Sequence, residues 1–161
     1  MKKLGELESA AVPRATEKSL EAEQGTIHKA LMPLGIKDLF LIKAKLNKAD
    51  IELLMDSGCS GNFIHPEVVR QLNLPTLARE QPLRVQHVEG KTFGISNQRA
   101  MFSLVIGEHF KYMAANIVPI GQHRLILGMP WLVHHSPTIN WATRKLRLDS
   151  CKGHRKVAKE Y

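Results

Sequence analysis

Apolar and polar residues alternate in several short segments after residue 34, which is the pattern of β-strands that bury one face. In LFLIKAKLN, residues 39–47, the apolar residues Ile42, Ala44 and Leu46 alternate with lysine and asparagine. The segment ADIELLM, residues 49–55, follows after a short polar turn. These two segments predict a β-hairpin.

Further segments predict more strands and a short helix. Those with strand character are PLRVQHV (82–88), RAMFSLVIG (99–107), HFKYMAANIVPI (109–120), LILG (125–128), TINW (138–141) and KLRL (145–148). LILG is wholly apolar, as is typical of a strand buried on both faces. HPEVVRQLNL (65–74) predicts a short helix with Pro66 and Glu67 in its first turn, and MPWLVHH (129–135) predicts one helical turn. The fold class is therefore mainly β, with one or two short helices.

Composition divides the chain of 161 residues into three regions. Residues 1–33 are rich in Ala, Glu and Lys and lack a strand pattern, so they predict a flexible leader. Residues 34–150 carry the strand pattern and predict one domain. Residues 151–161 predict a basic tail, which contributes to the net charge of +8. A solvated tail is the simpler interpretation, and contact with nucleic acid is considered only through this tail.

The environment of the protein is predicted from what the sequence lacks. Its apolar runs are shorter than a membrane span, and no apolar segment of a secretory signal follows the start MKK. Two cysteines do not make a disulfide framework. We therefore expect an intracellular, cytoplasmic protein without membrane contact, and we expect no cofactor.

The segment IELLMDSGCSGNFI, residues 51–64, places the carboxylate of Asp56 at the end of an apolar run. A buried charge is costly unless it is paired or hydrogen-bonded. The residues alone leave two interpretations open. Asp56 opens an ordinary turn, because Asp, Ser and Gly favour turns, or it is a catalytic acid whose surroundings adjust its chemistry.

Three segments together resemble the retropepsin-like aspartic proteases of gypsy-type LTR retrotransposons, which form part of Gag-Pol polyproteins. They are LLMDSGCSGNFI (53–64), LILGMPWL (125–132) and HHSPTINW (134–141). The resemblance covers about residues 34–148. Three residues depart from the family pattern: Cys59 where Ala or Thr is common, Arg124 where an acidic residue often stands, and Asn140 in place of a frequent Asp.

The resemblance implies an acid-protease barrel that is active as a homodimer and cleaves an extended polypeptide, such as a retroelement polyprotein. The chemistry needs two carboxylates that share one proton over a bound water, and this chain has one Asp-Ser-Gly. Asp56 of each subunit is therefore the expected catalytic acid. Ser57 is expected to hydrogen-bond across the dimer, and Gly58 is expected to let the backbone approach the carboxylates.

The segment HVEGKTFG, residues 87–94, is expected to form the flap that closes over the substrate. Gly90 is expected at its tip as a substrate-binding residue, and a plain turn is the alternative for this glycine. For the whole chain, the alternative function is a catalytically inactive retropepsin-fold module that binds peptides or takes part in assembly.

Other residues with reactive or bulky side chains are assigned structural roles. No metal is expected, because the histidines and the cysteine near the C-terminus lack the paired spacing of zinc sites. These residues are His134, His135, Cys151 and His154. Cys59 has no nucleophile motif around it and is expected to fill space in a packed turn. Trp131 and Trp141 are expected in the core.

Overall fold

The computed structural model describes residues 39–86, 90–149 and 151. The predicted leader at residues 1–33 lies outside these described residues. So do residues 152–161 of the predicted basic tail and residues 87–89 at the start of the predicted flap.

Strands dominate the described part of the chain. They are β1 (Leu41–Leu46), β2 (Ala49–Met55), β3 (Phe63–Ile64), β4 (Thr76–Gln86), β5 (Thr92–Ile106), β6 (His109–Ile117), β7 (Leu125–Leu127), β8 (Thr138–Asn140) and β9 (Lys145–Arg147). The helices are α1 (Pro66–Gln71) and α2 (Met129–His135). Neither of these helices has the length and apolar character needed to cross a membrane. The prediction of a mainly β domain with one or two short helices is confirmed.

Seven strands form one sheet in the order β1-β2-β7-β3-β6-β5-β4. β1 also pairs with β5, with Lys45 opposite Val105 and Leu46 opposite Leu104. Six strands therefore close into a barrel, and β4 extends from β5 outside the closed ring. β8 and β9 pair in a separate two-stranded sheet. Closure removes the exposed edges of the six ring strands, whereas β4 keeps an outer edge.

The hairpin of β1 and β2 forms as the alternating pattern predicts. Ala44 and Leu46 are buried, while the lysines between and beside them are exposed. Asn47 and Lys48 connect the strands with φ of 44° and 71°, and positive φ at both central residues is what a type I′ turn requires. The Asn47 side chain accepts a hydrogen bond of 2.8 Å from the Ser103 N–H, which fastens the turn to β5.

The main core is built from alternate positions of the long strands. On β5, Ala100, Phe102 and Leu104 are almost fully buried at spacing two. Burial of one large apolar side chain stabilises the fold by about 1.5–3 kcal/mol. All three residues of β7 are buried, because this strand lies between β2 and β3 in the sheet. The wholly apolar run LILG is therefore explained by a central strand.

Helix α1 begins at the predicted proline. The His65 Nδ1 accepts a hydrogen bond of 3.1 Å from the Glu67 N–H, which caps the helix, and Pro66 stands in its first turn. Val68 is buried, and Arg70 pairs with Glu67 on the exposed side. Val68 belongs to the main core cluster, so the helix packs against the barrel through this residue.

The two tryptophans differ in burial. Trp131 on α2 is buried, as predicted. The core prediction for Trp141 is wrong, because 67% of this residue is exposed. Trp141 lies in the exposed turn between β8 and β9. Its ring makes an edge contact with the Phe40 ring, with centroids 5.5 Å apart.

β4 begins earlier than the pattern predicts. The alternating segment starts at Pro82, whereas the strand starts at Thr76 and pairs with β5 along most of its length. Its register shifts between Ala78 and Leu83. The added half is largely exposed, so it has no buried face to impose alternation on the sequence.

Candidate active site

Asp56 follows β2 directly, where β2 and β7 end side by side as parallel strands. Leu54 lies opposite Ile126, and Met55 lies opposite Leu127. The Asp56 N–H donates a hydrogen bond of 3.0 Å to the Leu127 carbonyl. Asp56 is half-buried. The position of this carboxylate is therefore fixed by backbone pairing on β7.

The residues after Asp56 form a tight turn that holds its carboxylate. The Gly58 N–H donates a hydrogen bond of 2.8 Å to Asp56 Oδ1, and the Cys59 N–H donates one of 3.1 Å to the Asp56 carbonyl. A Cβ on Gly58 would lie 3.1 Å from Asp56 Oδ1, which is closer than an ordinary contact. Ser57 is exposed in the protomer. The turn thus orients one carboxylate oxygen and presents the Ser57 hydroxyl at the surface.

Asn62 holds this turn against β6 and β7. Its Oδ1 accepts a hydrogen bond of 3.0 Å from the Gly128 N–H, and its carbonyl accepts one of 2.9 Å from the Asn116 N–H. A Cβ on Gly128 would lie 2.2 Å from the Gly61 carbonyl oxygen and 2.5 Å from that of Cys59. Only glycine fits at residue 128, because both contacts are with backbone atoms. This role of Asn62 is not predictable from local sequence, since its partners are distant in the chain.

The Cys59 thiol lies beside Asp56 and is half-buried. Burial first, and then the charge of Asp56 and a hydrogen bond to it, raise the pKa of Cys59 from 9.0 to about 11. The thiol is therefore neutral at physiological pH, and a neutral thiol is a poor nucleophile. Cys59 also packs against the small apolar cluster that includes Phe63 and Val118. These observations agree with its expected role as a filler.

A cavity of about 370 Å³ opens beside the turn. Its lining includes Gly58, Cys59 and Asn62 of the turn and Arg79, Arg84 and Arg99 of β4 and β5. Carboxylates are absent from the described lining. Arg79 Nη1 donates a hydrogen bond of 2.6 Å to Asn116 Oδ1, but no ion pair among the described residues involves any of the three arginines. The described lining of the cavity therefore contains three basic side chains and no acidic one.

Gly90 lies at the end of the hairpin formed by β4 and β5. Gln86 and Thr92 pair on either side of it. Gly90 is exposed, its φ is +83°, and an added Cβ would have no atom within 4 Å. The positive φ agrees with a turn at this glycine. Its role in substrate binding stays a prediction.

Two of the departures from the family pattern have local partners away from Asp56. Arg124 Nη2 donates a hydrogen bond of 3.3 Å to Gln71 Oε1, and the Arg124 carbonyl accepts one of 3.0 Å from the His65 N–H. Asn140 Oδ1 accepts a hydrogen bond of 2.9 Å from the backbone N–H of Thr143. These substitutions change contacts of α1 and of the turn after β8, and they leave the Asp56 turn intact.

Three metal-ligating residues meet in a buried cluster outside this site. His135 stands at the end of α2, and its Nδ1 lies 3.1 Å from the Cys151 Sγ. A ring nitrogen of His109, on β6, lies within 4.8 Å of both atoms. His134 is exposed, and His154 lies outside the described residues. Sequence spacing gave no signal for this cluster, because His109 comes from a separate strand.

Comparisons with known proteins give one family and several similar structures. The family model for the PEG10/RTL1 protease domain matches residues 52–157. The retroviral protease-like domain of Ddi1 from Leishmania major is 16% identical, with a TM-score of 0.49, over 69% of this chain and 87% of that chain. The EIAV protease complexed with the inhibitor HBY-793 is 12% identical, with a TM-score of 0.49, over 62% and 89%. A retropepsin-like aspartic protease from Rickettsia conorii is 20% identical, with a TM-score of 0.43, over 62% and 75%.

The predicted fold class, a mainly β acid-protease barrel with short helices, is confirmed. The resemblance to retropepsin-like aspartic proteases is confirmed at the level of the protease domain. The roles of Asp56, Ser57, Gly58 and Gly90 stay predictions, as does the homodimer.

Proposed function

The chain belongs to the PEG10/RTL1 protease domain family, and we propose that it is an aspartic endopeptidase that works as a homodimer. Asp56 of each subunit contributes one carboxylate to a shared site. The geometry of the Asp56 turn is the observation that supports this most. The carboxylate is half-buried at the end of two parallel barrel strands, and one of its oxygens is held by the Gly58 N–H.

Two such carboxylates, brought to within about 3 Å of each other, share one proton because two negative charges at that distance repel each other. The ionised carboxylate acts as a base on a bound water, and the protonated one donates to the carbonyl oxygen of the scissile peptide bond. Within each protomer, Gly58 orients Asp56 Oδ1. The exposed Ser57 hydroxyl hydrogen-bonds across the dimer axis and holds the two turns together.

A second copy of the chain is needed because one protomer supplies half of this chemistry. Asp56 is the carboxylate of the single Asp-Ser-Gly in the sequence. The described lining of the neighbouring cavity adds no further acid. A two-fold dimer places the same residue on both sides of its axis. Pairing of Asp56 with Asp56 therefore completes the site.

The proposed substrate is an extended polypeptide with an acidic side chain next to the cleavage site. Arg79, Arg84 and Arg99 line the cavity beside the turn, and guanidinium groups bind carboxylates through paired hydrogen bonds. The hairpin of β4 and β5 covers the bound peptide as a flap, with Gly90 at its tip. A Gag-Pol-like polyprotein of a gypsy-type retroelement is the substrate class we assign.

The decisive experiment measures cleavage of a peptide library by the full chain at mildly acidic pH. Asp56→Asn is expected to lower kcat by about 100- to 10,000-fold, since it removes an acid–base group. Asp50→Asn is the matched control, because the Asp50 carboxylate is exposed and pairs with Lys45. Cleavage that survives Asp56→Asn would remove this residue from the mechanism.

Mixing the two chains tests whether the site is shared. Excess Asp56→Asn chain is expected to inhibit the wild-type chain in proportion to mixed-dimer formation, whereas excess Asp50→Asn chain is not. A pepstatin-type inhibitor is expected to bind with one molecule per two chains. Peptide binding without turnover by the wild-type dimer would instead support the inactive binding module.

A further inference from the structure

Three side chains that bind transition metals converge in the interior, away from the Asp56 turn. His109 begins β6, His135 ends α2, and Cys151 follows β9. Their exposed fractions are 2%, 3% and 9%. Their ligand atoms all lie within 4.8 Å of one another. Residues from three separate parts of the chain thus present imidazole and thiol groups to one buried point.

The spacing of these groups is compatible with ligands of one metal ion. His135 Nδ1 lies 3.1 Å from Cys151 Sγ. The rings of His109 and His135 are nearly perpendicular, at 88°, with centroids 4.7 Å apart, so they approach the point from different directions. Zinc bonds of 2.0–2.1 Å to nitrogen and 2.3 Å to sulfur place ligand atoms about 3.3–3.6 Å apart in a tetrahedron. The ligand atoms of the cluster lie within 4.8 Å of one another, so a bound ion would draw them closer together.

The chemistry of the cluster selects the class of metal. Two imidazoles and one thiol form a nitrogen and sulfur donor set, which suits zinc and related transition metals. Calcium and magnesium require oxygen ligands, and the cluster contains none. A hydrogen bond between His135 and Cys151 without any metal is the simpler alternative, and metal titration distinguishes the two.

We propose that His109, His135 and Cys151 bind one Zn²⁺ ion per chain, with a fourth position open to water or another ligand. The ion would connect Cys151, four residues beyond the end of β9, to both β6 and α2. It would therefore fasten the C-terminal end of the domain to the barrel. This role is structural and does not depend on the proposed proteolysis. It departs from the expectation of no metal, which rested on spacing along the sequence alone.

Cobalt binding tests the ligand set directly. Metal-free full-length protein titrated with Co²⁺ is expected to give one equivalent per chain and a thiolate-to-cobalt charge-transfer absorption that added Zn²⁺ removes. Cys151→Ser is expected to abolish this absorption and to weaken metal binding at least about 10-fold. Cys59→Ser is the matched control for the other thiol of the chain and is expected to keep the absorption.

A second readout reports on the histidines. The Trp131 ring lies 4.4 Å from the His135 ring, so Co²⁺ is expected to quench its fluorescence in a Trp141→Phe background, where Trp131 is the only tryptophan. His109→Gln is expected to remove this quenching. His123 lies in the loop between β6 and β7 and is not part of the cluster, so His123→Ala is expected to keep it. Zn²⁺ is expected to raise the Tm of the wild-type chain and not that of the Cys151→Ser chain.

Three results would overturn the site. They are a wild-type chain without the charge-transfer absorption, binding that survives both Cys151→Ser and His109→Gln, and an equal Zn²⁺ effect on the Tm of wild-type and Cys151→Ser protein. The first of these needs no variant, so the proposal stays testable if a substitution in the core prevents folding.

Discussion

The turn at residues 56–62 and the hairpin end at Gly90 are both predicted parts of one active site, but the rest of the molecule holds them differently. Backbone hydrogen bonds to Leu127 and Asn116 and the side chain of Asn62 fix the turn. Gly90 is exposed, and a side chain added there would meet no atom within 4 Å. The turn is therefore specified by packing, whereas Gly90 is distinguished by its backbone conformation.

This difference explains which part of the site the sequence makes recognisable. Close packing restricts residue choice, so the turn and its partner segment on β7 keep a pattern that is readable from one chain. An exposed hairpin end tolerates many residues. We therefore expect substitutions in the turn to affect stability and chemistry together, and substitutions at the hairpin end to affect function with little loss of stability.

Gly128→Ala is expected to have the largest effect on the turn. The new Cβ would lie within 2.5 Å of two backbone carbonyl oxygens, which do not move without displacing the turn. The free energy of unfolding should fall by roughly 3 kcal/mol. Urea denaturation measures this change. Gly121→Ala is the control, because its φ of +62° gives strain without any contact within 4 Å. Equal losses in the two variants would show that residue 128 is not confined by packing.

Much of the fold follows from short-range pattern. Alternation predicts β1, β2 and the inner half of β5, and a wholly apolar run predicts β7. The pattern fails where burial does not impose it. The first half of β4 is exposed and lacks alternation, and Trp141 is apolar but lies in a turn. Local hydrophobicity predicts that a residue prefers the interior, but the course of the chain decides whether the interior is reached.

The site is predictable only in its local part. Asp56, Ser57 and Gly58 are adjacent in sequence, so a single motif contains them. Asn62 and Gly128 lie in two of the segments that resemble the protease family, but the hydrogen bond between them spans 66 residues and neither segment predicts it by itself. The same holds for the arginine-lined cavity and for the cluster of two histidines and a cysteine. Both are formed by strand pairing and chain closure, and their spacing in sequence is irregular.

The pKa of the Cys59 thiol reports on the environment of the turn. In a Cys151→Ser background, Cys59 is the only thiol, and its alkylation should titrate near pH 11 because burial and Asp56 raise its pKa from 9.0. The thiolate fraction at pH 8 should therefore be roughly 100-fold below that of a thiol with its ordinary pKa. Asp56→Asn should lower this pKa part of the way, because burial remains. If Asp56→Asn leaves the pH dependence of alkylation unchanged, Asp56 does not contribute to the raised pKa of Cys59.

Arg84→Glu tests whether the arginine-lined cavity beside β4 selects an acidic side chain of the substrate. Arg84 lines the cavity from β4, so reversal of its charge should shift cleavage from peptides with glutamate towards peptides with lysine at one position. The expected change in relative kcat/KM is about 10-fold, since Arg84 is exposed and its charge is partly screened. Lys43→Glu makes the same charge change on an exposed residue of β1 and should leave the preference unaltered.

The outcomes of this experiment separate the acidic subsite from the proteolysis on which it rests. A wild-type chain that cleaves peptides without preference for acidic side chains would contradict the subsite alone. A wild-type chain that cleaves none of the peptides would contradict the proposed function. Equal shifts in Arg84→Glu and Lys43→Glu would assign the preference to net charge instead of the cavity.

Gly90→Ala is expected to have a smaller effect on stability than Gly128→Ala, and it addresses the hairpin end most directly. Its φ of +83° costs an alanine about 1–2 kcal/mol, and no steric contact adds to this. Gly107→Ala is a matched control in the turn between β5 and β6, with φ of +59° and likewise no contact within 4 Å. The two variants should lose similar stability in urea denaturation. If the hairpin is the flap, Gly90→Ala alone should raise KM, because a stiffer hairpin end closes less readily over the peptide. Identical kinetics in both variants would leave Gly90 as an ordinary turn residue and would place substrate closure elsewhere in the chain.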